Sequence, residues 1–210
     1  MALAWARIEQ FRCFERAELE LDPHFNFFVG ANASGKTSLL EALFFLGRGR
    51  SFRSRRLEAL IRQGQREFVV AGRVRVDNGL VTLGVRGARS GSEARVAGRA
   101  AQGAAELAEF FPPQVIDPEI HKLLEEGPGR RRRFLDWGVF HVEHAFLDTW
   151  QRYHKALRQR NAALKLGQHD ASVRLWDVEL SAAGDLLDEQ RSRYLQLLEA
   201  PLSRVGQALL

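Results

Sequence analysis

The residues with the clearest chemical purpose are Gly30-Ala31-Asn32-Ala33-Ser34-Gly35-Lys36-Thr37, which fit the pattern G-x-x-x-x-G-K-[ST]. Each position has a physical reason. Wrapping a phosphate with backbone N–H groups needs glycine where the chain bends tightly, here Gly30 and Gly35. A helix that starts at the end of the loop aims its positive N-terminus at the same phosphates. Lys36 places a cation on the β- and γ-phosphates, and the Thr37 hydroxyl is a ligand for Mg²⁺. The expected cofactors are therefore ATP and Mg²⁺.

Such a loop needs a strand before it and a helix after it. Residues 25–29 (Phe25-Asn26-Phe27-Phe28-Val29) are nearly all apolar, as in a central strand covered on both faces. Residues 38–46 are apolar almost all round and read as a buried helix, stopped by Gly47 and Gly49. Upstream, Ala17, Leu19 and Leu21 alternate with Glu18, Glu20 and Asp22, a half-buried strand ended by Pro23. Downstream, residues 67–76 and 80–86 flank Asn78-Gly79, a two-residue hairpin signal. Residues 93–97 add a short strand, and residues 104–111 a helix closed by Pro112-Pro113. The expected fold class is α/β. Residues 1–114 form a P-loop ATP-binding lobe, a mixed sheet with helices.

A boundary is expected near residues 112–118, followed by a helical lobe over 115–210. Leu147, Trp150, His154, Leu157, Asn161 and Leu164 fall three or four apart. So do Trp176, Leu180, Ala183, Leu187, Tyr194 and Leu198, beyond a polar stretch at 167–171. That pattern predicts an antiparallel helical hairpin with a coiled-coil-like seam. Pro201 is followed by Leu202, Val205, Leu209 and Leu210, read as the start of another amphipathic element with its face unresolved. The expectation is a C-terminally incomplete chain.

Charge and composition narrow the function classes. Apolar residues make up 45% of the chain, ordinary for a folded protein. No apolar run is long enough to span a membrane, and the first residues lack the apolar core of a signal peptide. Cys13 is the only cysteine, which excludes an internal disulfide and any zinc site built on paired cysteines. An intracellular location is expected. The formal charge is +5 and the pI about 10.0, with the excess in patches. Arg48, Arg50, Arg53, Arg55 and Arg56 form one cluster and Arg130, Arg131, Arg132 and Arg133 another. The guanidinium fork matches phosphate oxygens, so the first cluster is the candidate DNA contact, the alternative being a solvated basic surface. The second either contacts DNA or charges a helix start after Gly127-Pro128-Gly129.

ATP hydrolysis needs an acidic residue at the end of a second apolar strand. The nearest match, Val115-Ile116-Asp117, is too short and precedes proline, while Glu179 and Leu180 fall in helical spacing. The sequence thus points to nucleotide binding without efficient hydrolysis, and assigns no catalytic residue. His141 and His144 with Glu143 lack a third metal ligand. His154 reads as a core histidine, Asp136 and Asp148 as surface carboxylates, and Trp137, Trp150 and Trp176 as packing residues.

The opening Ile8-Glu9-Gln10-Phe11-Arg12-Cys13-Phe14, with Phe25 to Asn32, resembles the start of the RecF/SMC group of ABC-type ATPases. The chain is most similar to the N-terminal portion of the RecF family. That likeness rests on Gly47-Arg48-Gly49-Arg50-Ser51-Phe52-Arg53, Asp117-Pro118-Glu119, Arg131-Arg132-Arg133-Phe134-Leu135-Asp136-Trp137-Gly138 and Leu157-Arg158-Gln159-Arg160-Asn161-Ala162-Ala163-Leu164-Lys165. The resemblance implies a cytoplasmic bacterial ATPase of recombinational repair that binds DNA in an ATP-dependent way at single-strand/double-strand gaps. It implies RecA loading with RecO and RecR, replication restart and the SOS response. It also implies two heads joined around ATP, a helical second lobe, and no membrane partner. By the same resemblance, Arg12 and Gln114 become nucleotide contacts. The family usually has glycine where this chain has Ala33, a methyl group that is strained if φ is positive. Its acidic strand and signature segment come later than residue 210. The rival readings are an ATPase subunit of another P-loop class, such as a transporter ATPase or a nucleotide kinase, and a non-hydrolysing interaction fragment with a structural P-loop. The arginine clusters and the helical hairpin argue against the first.

Overall fold

The structure, a computed structural model, describes residues 1–77, 79–116, 118–167 and 170–209, without side chains at 119, 120 and 170–172. Asn78 of the expected hairpin turn and Asp117 lie outside the described residues, as do Gln168, His169 and Leu210. The backbone packs as two units, Met1–Asp117 and Pro118–Leu210.

Among the described residues the first unit is built on six strands: β1 (Ala2–Phe11), β2 (Phe14–Glu20), β3 (Glu67–Val76), β4 (Gly79–Ala88), β5 (Gly91–Val96) and β6 (Arg99–Ala100). Their order is β2-β1-β3-β4-β5-β6, and every pairing is antiparallel, where a mixed sheet was expected. Short turns join β1 to β2 and β3 through β6 in succession, and such turns can only connect antiparallel strands. β1 carries no clean alternation because its register on β3 shifts between Leu3 and Trp5 and Gln10 has a positive φ of 52°. Helix α1 (Lys36–Arg48) lies on one sheet face and buries Leu39, Ala42, Phe45 and Leu46 with Ile8, Phe11, Phe68 and Val70. The Phe68 ring meets Phe11 and Phe45 edge-on at 5.0 and 5.2 Å. A second helix, α2 (Ala104–Phe110), adds Leu107 to this core.

Residues 25–29 do not form the buried strand expected of them. They join no strand among the described residues, and Phe25, Phe27 and Val29 are 77%, 87% and 94% exposed. Only Phe28 packs against the core. A strand needs a hydrogen-bonded neighbour, whereas residues 22–26 are held locally. Asp22 Oδ1 accepts from the His24 and Phe25 N–H groups, and the Asn26 amide bridges back to Asp22.

The second unit is helical: α3 (Lys122–Glu125), α4 (Pro128–Val142), α5 (Phe146–Lys165) and α6 (Asp170–Leu209). α5 and α6 form the expected hairpin, tied by Arg152–Glu179 and Arg160–Asp177. The α6 stripe is placed as its spacing implied, with Ala183 and Leu187 buried. The α5 seam sits one residue earlier than expected. Phe146, Thr149, Ala156 and Ala163 are buried, while Asn161 and Leu164 are exposed. Small alanines let the facing helix approach closely but contribute little to an apolar pattern, so the bulkier neighbours drew the stripe. α6 also runs through Pro201 without a break, where a new element was expected. Leu202, Val205 and Leu209 continue this helix and are exposed. Proline removes one backbone donor there. Among the described residues, no helix is long and apolar enough to cross a membrane.

Candidate functional site

The loop at residues 30–37 has the backbone its chemistry requires. Gly35 precedes α1 in the left-handed region (φ 94°), and Ala33 is left-handed as well (φ 63°). Left-handed residues alternating with right-handed ones are the backbone from which anion-binding concavities are made. Glycine takes such a φ freely, whereas Ala33 carries the strain that a positive φ imposes on a methyl-bearing residue. No side chain caps α1, and its first turn has no acidic residue. The N-terminal donors and the positive end of the helix dipole are thus left for an external anion. Lys36 Nζ donates to the Gly30 and Ala31 carbonyls at 2.7 Å each, which folds its ammonium over the loop. Thr37 follows it, exposed at the head of the helix. A triphosphate fits this donor set: backbone N–H groups and Lys36 for the phosphate oxygens, and the Thr37 hydroxyl for Mg²⁺.

One residue missed in the sequence organises the neighbourhood. Glu41, in the middle of α1, is fully buried. Arg12 grips it with two bonds, Nε to Oε2 at 3.0 Å and Nη2 to Oε1 at 2.8 Å. The Ser51 hydroxyl donates to Oε1 and Arg53 Nη1 to Oε2 at 3.3 Å. Burial raises the carboxyl pKa, but the Arg12 and Ser51 hydrogen bonds and the two guanidinium charges outweigh it, so Glu41 lies below its ordinary value. It is a buried anion with full compensation. The available signal was a single carboxylate inside an otherwise apolar helix.

Arg12 therefore spends Nε and Nη2 on Glu41, and its backbone is left-handed (φ 53°). Its neighbours Cys13 and Phe14 lie against Gly35, where an added Cβ would come within 2.8 Å of Cys13 Sγ and 3.0 Å of Phe14 Cζ. The β1–β2 turn thus buttresses the loop. Gln114 is exposed and follows Pro113, which packs on Gly47 at the far end of α1 from Lys36. The structure brings Arg12 close behind the loop and leaves Gln114 beside the opposite end of the helix.

The first arginine cluster divides. The Arg48 guanidinium lies 5.7 Å from the Phe44 ring centroid, and burial, then the charge of Arg50, lowers its pKa to about 10. Arg53 is tied to Glu41. Arg50, Arg55 and Arg56 are exposed. In the second cluster, Arg131 donates to the Leu124 and Glu126 carbonyls, Arg130 pairs with Glu126, and Arg133 donates to the Gly129 carbonyl. These bonds serve the α3–α4 junction.

The remaining candidates make ion-pair and packing contacts. Glu143 pairs with Arg193, His141 meets the Trp137 ring edge-on at 4.2 Å, and no cluster of three metal-ligating side chains occurs among the described residues. Asp136 is held by Arg191 at 2.8 Å, and Glu179 by Arg152. Trp137, Trp150 and Trp176 are half-buried. A cleft of about 360 Å³ near Glu93, Arg95 and Ala104 does not include the loop.

A loop of sequence G-x-x-x-x-G-K-T at the head of helix α1, on an antiparallel sheet followed by a helical hairpin, defines the P-loop fold class. The chain belongs to the RecF/RecN/SMC N terminal domain family, whose model matches residues 3–208. More narrowly, it is similar to the DNA replication and repair protein RecF. It is 46% identical to that of Pseudomonas paraeruginosa (strain DSM 24068 / PA7) over 202 residues, covering 95% of this chain and 55% of the relative. It is 41% identical to that of Erwinia tasmaniensis over 204 residues, covering 97% and 56%. A solved structure of the recombination mediator protein RecF-ATP in the RecFOR pathway superposes with a TM-score of 0.89 at 28% identity, covering 97% of this chain and 56% of that one. The chain spans about half the length of the RecF relatives it matches.

Proposed function

We propose that this chain is the ATP-binding front portion of a RecF-type DNA-repair protein. The observation that carries the reading is the loop at residues 30–37, with its left-handed turns, uncapped helix start and folded-over Lys36. Gly30, Ala31, Asn32, Ala33, Ser34 and Gly35 wrap the phosphates, Lys36 neutralises them and Thr37 takes Mg²⁺. Likeness to a RecF structure that contains ATP supports the nucleotide. In the full-length protein, two heads join around ATP, and their basic surfaces form a face for single- and double-stranded DNA at gaps. RecO and RecR act with that assembly to load RecA, in the cytoplasm, in support of replication restart and the SOS response. Arg50, Arg55 and Arg56 are the exposed arginines that serve the DNA face best.

DNA binding by this chain, with and without Mg-ATP, on gapped and blunt duplexes at two salt concentrations, tests the reading. The expected result is tighter binding with ATP, a preference for gaps, and weakening by salt. Identical affinity with and without a nucleotide that demonstrably binds would contradict ATP-gated DNA binding by this portion.

A further inference from the structure

We propose that Glu41 is the positioning residue that couples the phosphate loop to the arginine segment at residues 50–56. The inference rests on the nucleotide reading above and adds the path by which occupancy of the loop reaches the basic surface.

Three segments meet on one buried carboxylate. From one side comes Arg12, whose neighbours Cys13 and Phe14 press on Gly35 of the loop. From the other come Ser51 and Arg53. Ser51 is a second junction, because its hydroxyl oxygen accepts from the backbone N–H groups of Arg53 and Ser54 at 2.9 Å each. Glu41 thus fixes the turn from which Arg50, Arg55 and Arg56 project. The two sides share its oxygens: Oε1 serves Arg12 and Ser51, and Oε2 serves Arg12 and Arg53. A shift of Arg12 toward an anion on the loop leaves more of the carboxylate to Ser51 and Arg53. Arg12 and Gln10 are both held at positive φ, a conformation that persists only where the surroundings enforce it. The end of β1 and the β1–β2 turn are therefore strained beside the contact that Arg12 makes with Glu41. None of these contacts is needed to fill the core, which Phe45, Phe68 and their neighbours supply.

The test is amide hydrogen exchange on the 210-residue chain, wild type and Glu41→Gln, with and without Mg-ATP. Without nucleotide, Glu41→Gln should speed exchange of the Arg53 and Ser54 amides by about tenfold or more beyond any change in the β3–β4 strands. Mg-ATP should slow those two amides by about threefold in the wild type and leave them unaffected in the variant, with similar nucleotide affinity in both. Unchanged exchange at 53 and 54 in Glu41→Gln, an acceleration there no greater than in the β3–β4 strands, or an ATP response that survives the substitution would each overturn the proposal. A wild-type chain that binds no Mg-ATP would overturn the nucleotide reading and with it the coupling. The nucleotide-free arm would still show whether Glu41 holds the turn. If Glu41→Gln fails to fold, Ser51→Ala with Arg53→Gln spares the Arg12–Glu41 pair and must abolish the ATP response. Its persistence there would overturn the proposal as well.

Discussion

In the sheet unit, a carboxylate with no exposed surface is held by two arginines and a serine on neighbouring segments. In the helical unit, the ion pairs lie nearer the surface; even the best sheltered, Asp136–Arg191, has side chains 19% and 22% exposed. The same chemistry carries different weight in the two places. Removing Asp136 deprives Arg191 alone, whereas removing Glu41 takes away a fully buried carboxylate shared by Arg12, Ser51 and Arg53. The units also differ in packing. The sheet unit surrounds Phe11, Phe45 and Phe68 with a continuous core. The helical unit centres on Val139, Phe146 and Leu187 and leaves Leu175, Val178 and Leu202 exposed.

The strongest break of this contrast is Glu41→Ala against Asp136→Ala. The first is expected to destabilise its unit by about 3–5 kcal/mol, as for a buried pair losing one member. The second should cost about 1 kcal/mol, as for a partly exposed pair. Thermal or urea unfolding followed by hydrogen exchange in each unit measures both, and equal losses would remove the distinction.

Glycine contacts sharpen it next. A Cβ at Gly47 would sit 2.2 Å from the Phe111 carbonyl oxygen, which is backbone, while one at Gly138 would sit 2.2 Å from the Tyr194 hydroxyl. Gly47→Ala should cost about 3 kcal/mol and Gly138→Ala about 1–2 kcal/mol, because a side chain can turn aside more easily than a backbone segment. Urea midpoints for the two variants decide the order.

pH separates the units differently. His154 is held below its ordinary value of 6.5, first by burial and then by Arg158 and Arg191, against the opposing pull of Asp136. The folded state therefore favours the neutral ring. As pH falls through about 6.5 the unfolded chain takes up a proton before the folded one does, so the stability contribution present above that pH is lost below it. The helical unit should unfold more readily at pH 5.5 than at 7.5, and His154→Phe should lessen that difference. Glu41 has a depressed pKa, so its contribution survives down to its acidic range, below the ordinary 4.5. The smallest expected effect is Ala33→Gly. Freed of a left-handed methyl-bearing residue, the loop should bind nucleotide about threefold more tightly, by titration, with little change in melting.

Elements whose pattern depends on local spacing were legible. The run from Ser38 to Leu46 announced α1, and the strand signals on either side of Asn78-Gly79 announced β3 and β4. The motif at residues 30–37 was legible as a pattern, because a loop of that kind restricts residue types. Features that depend on distant segments were not. Residues 25–29 have the composition of a central strand, but pairing is decided by neighbours, and the described residues supply none. β1 was hidden by its register shift and by positive φ at Gln10. The α5 seam was misplaced because Ala156 and Ala163 mark it by being small. Glu41 was overlooked because partners as distant in sequence as Arg12 and Ser51 give it its role.

The most direct measurement is equilibrium binding of a fluorescent ATP analogue, with Mg²⁺, to the wild-type chain and to Lys36→Met. Saturable binding by the wild type, weakened at least about tenfold in a Lys36→Met chain with an unchanged melting profile, is the predicted result. Equal affinity in the two proteins would contradict the assignment of residues 30–37 as the nucleotide site.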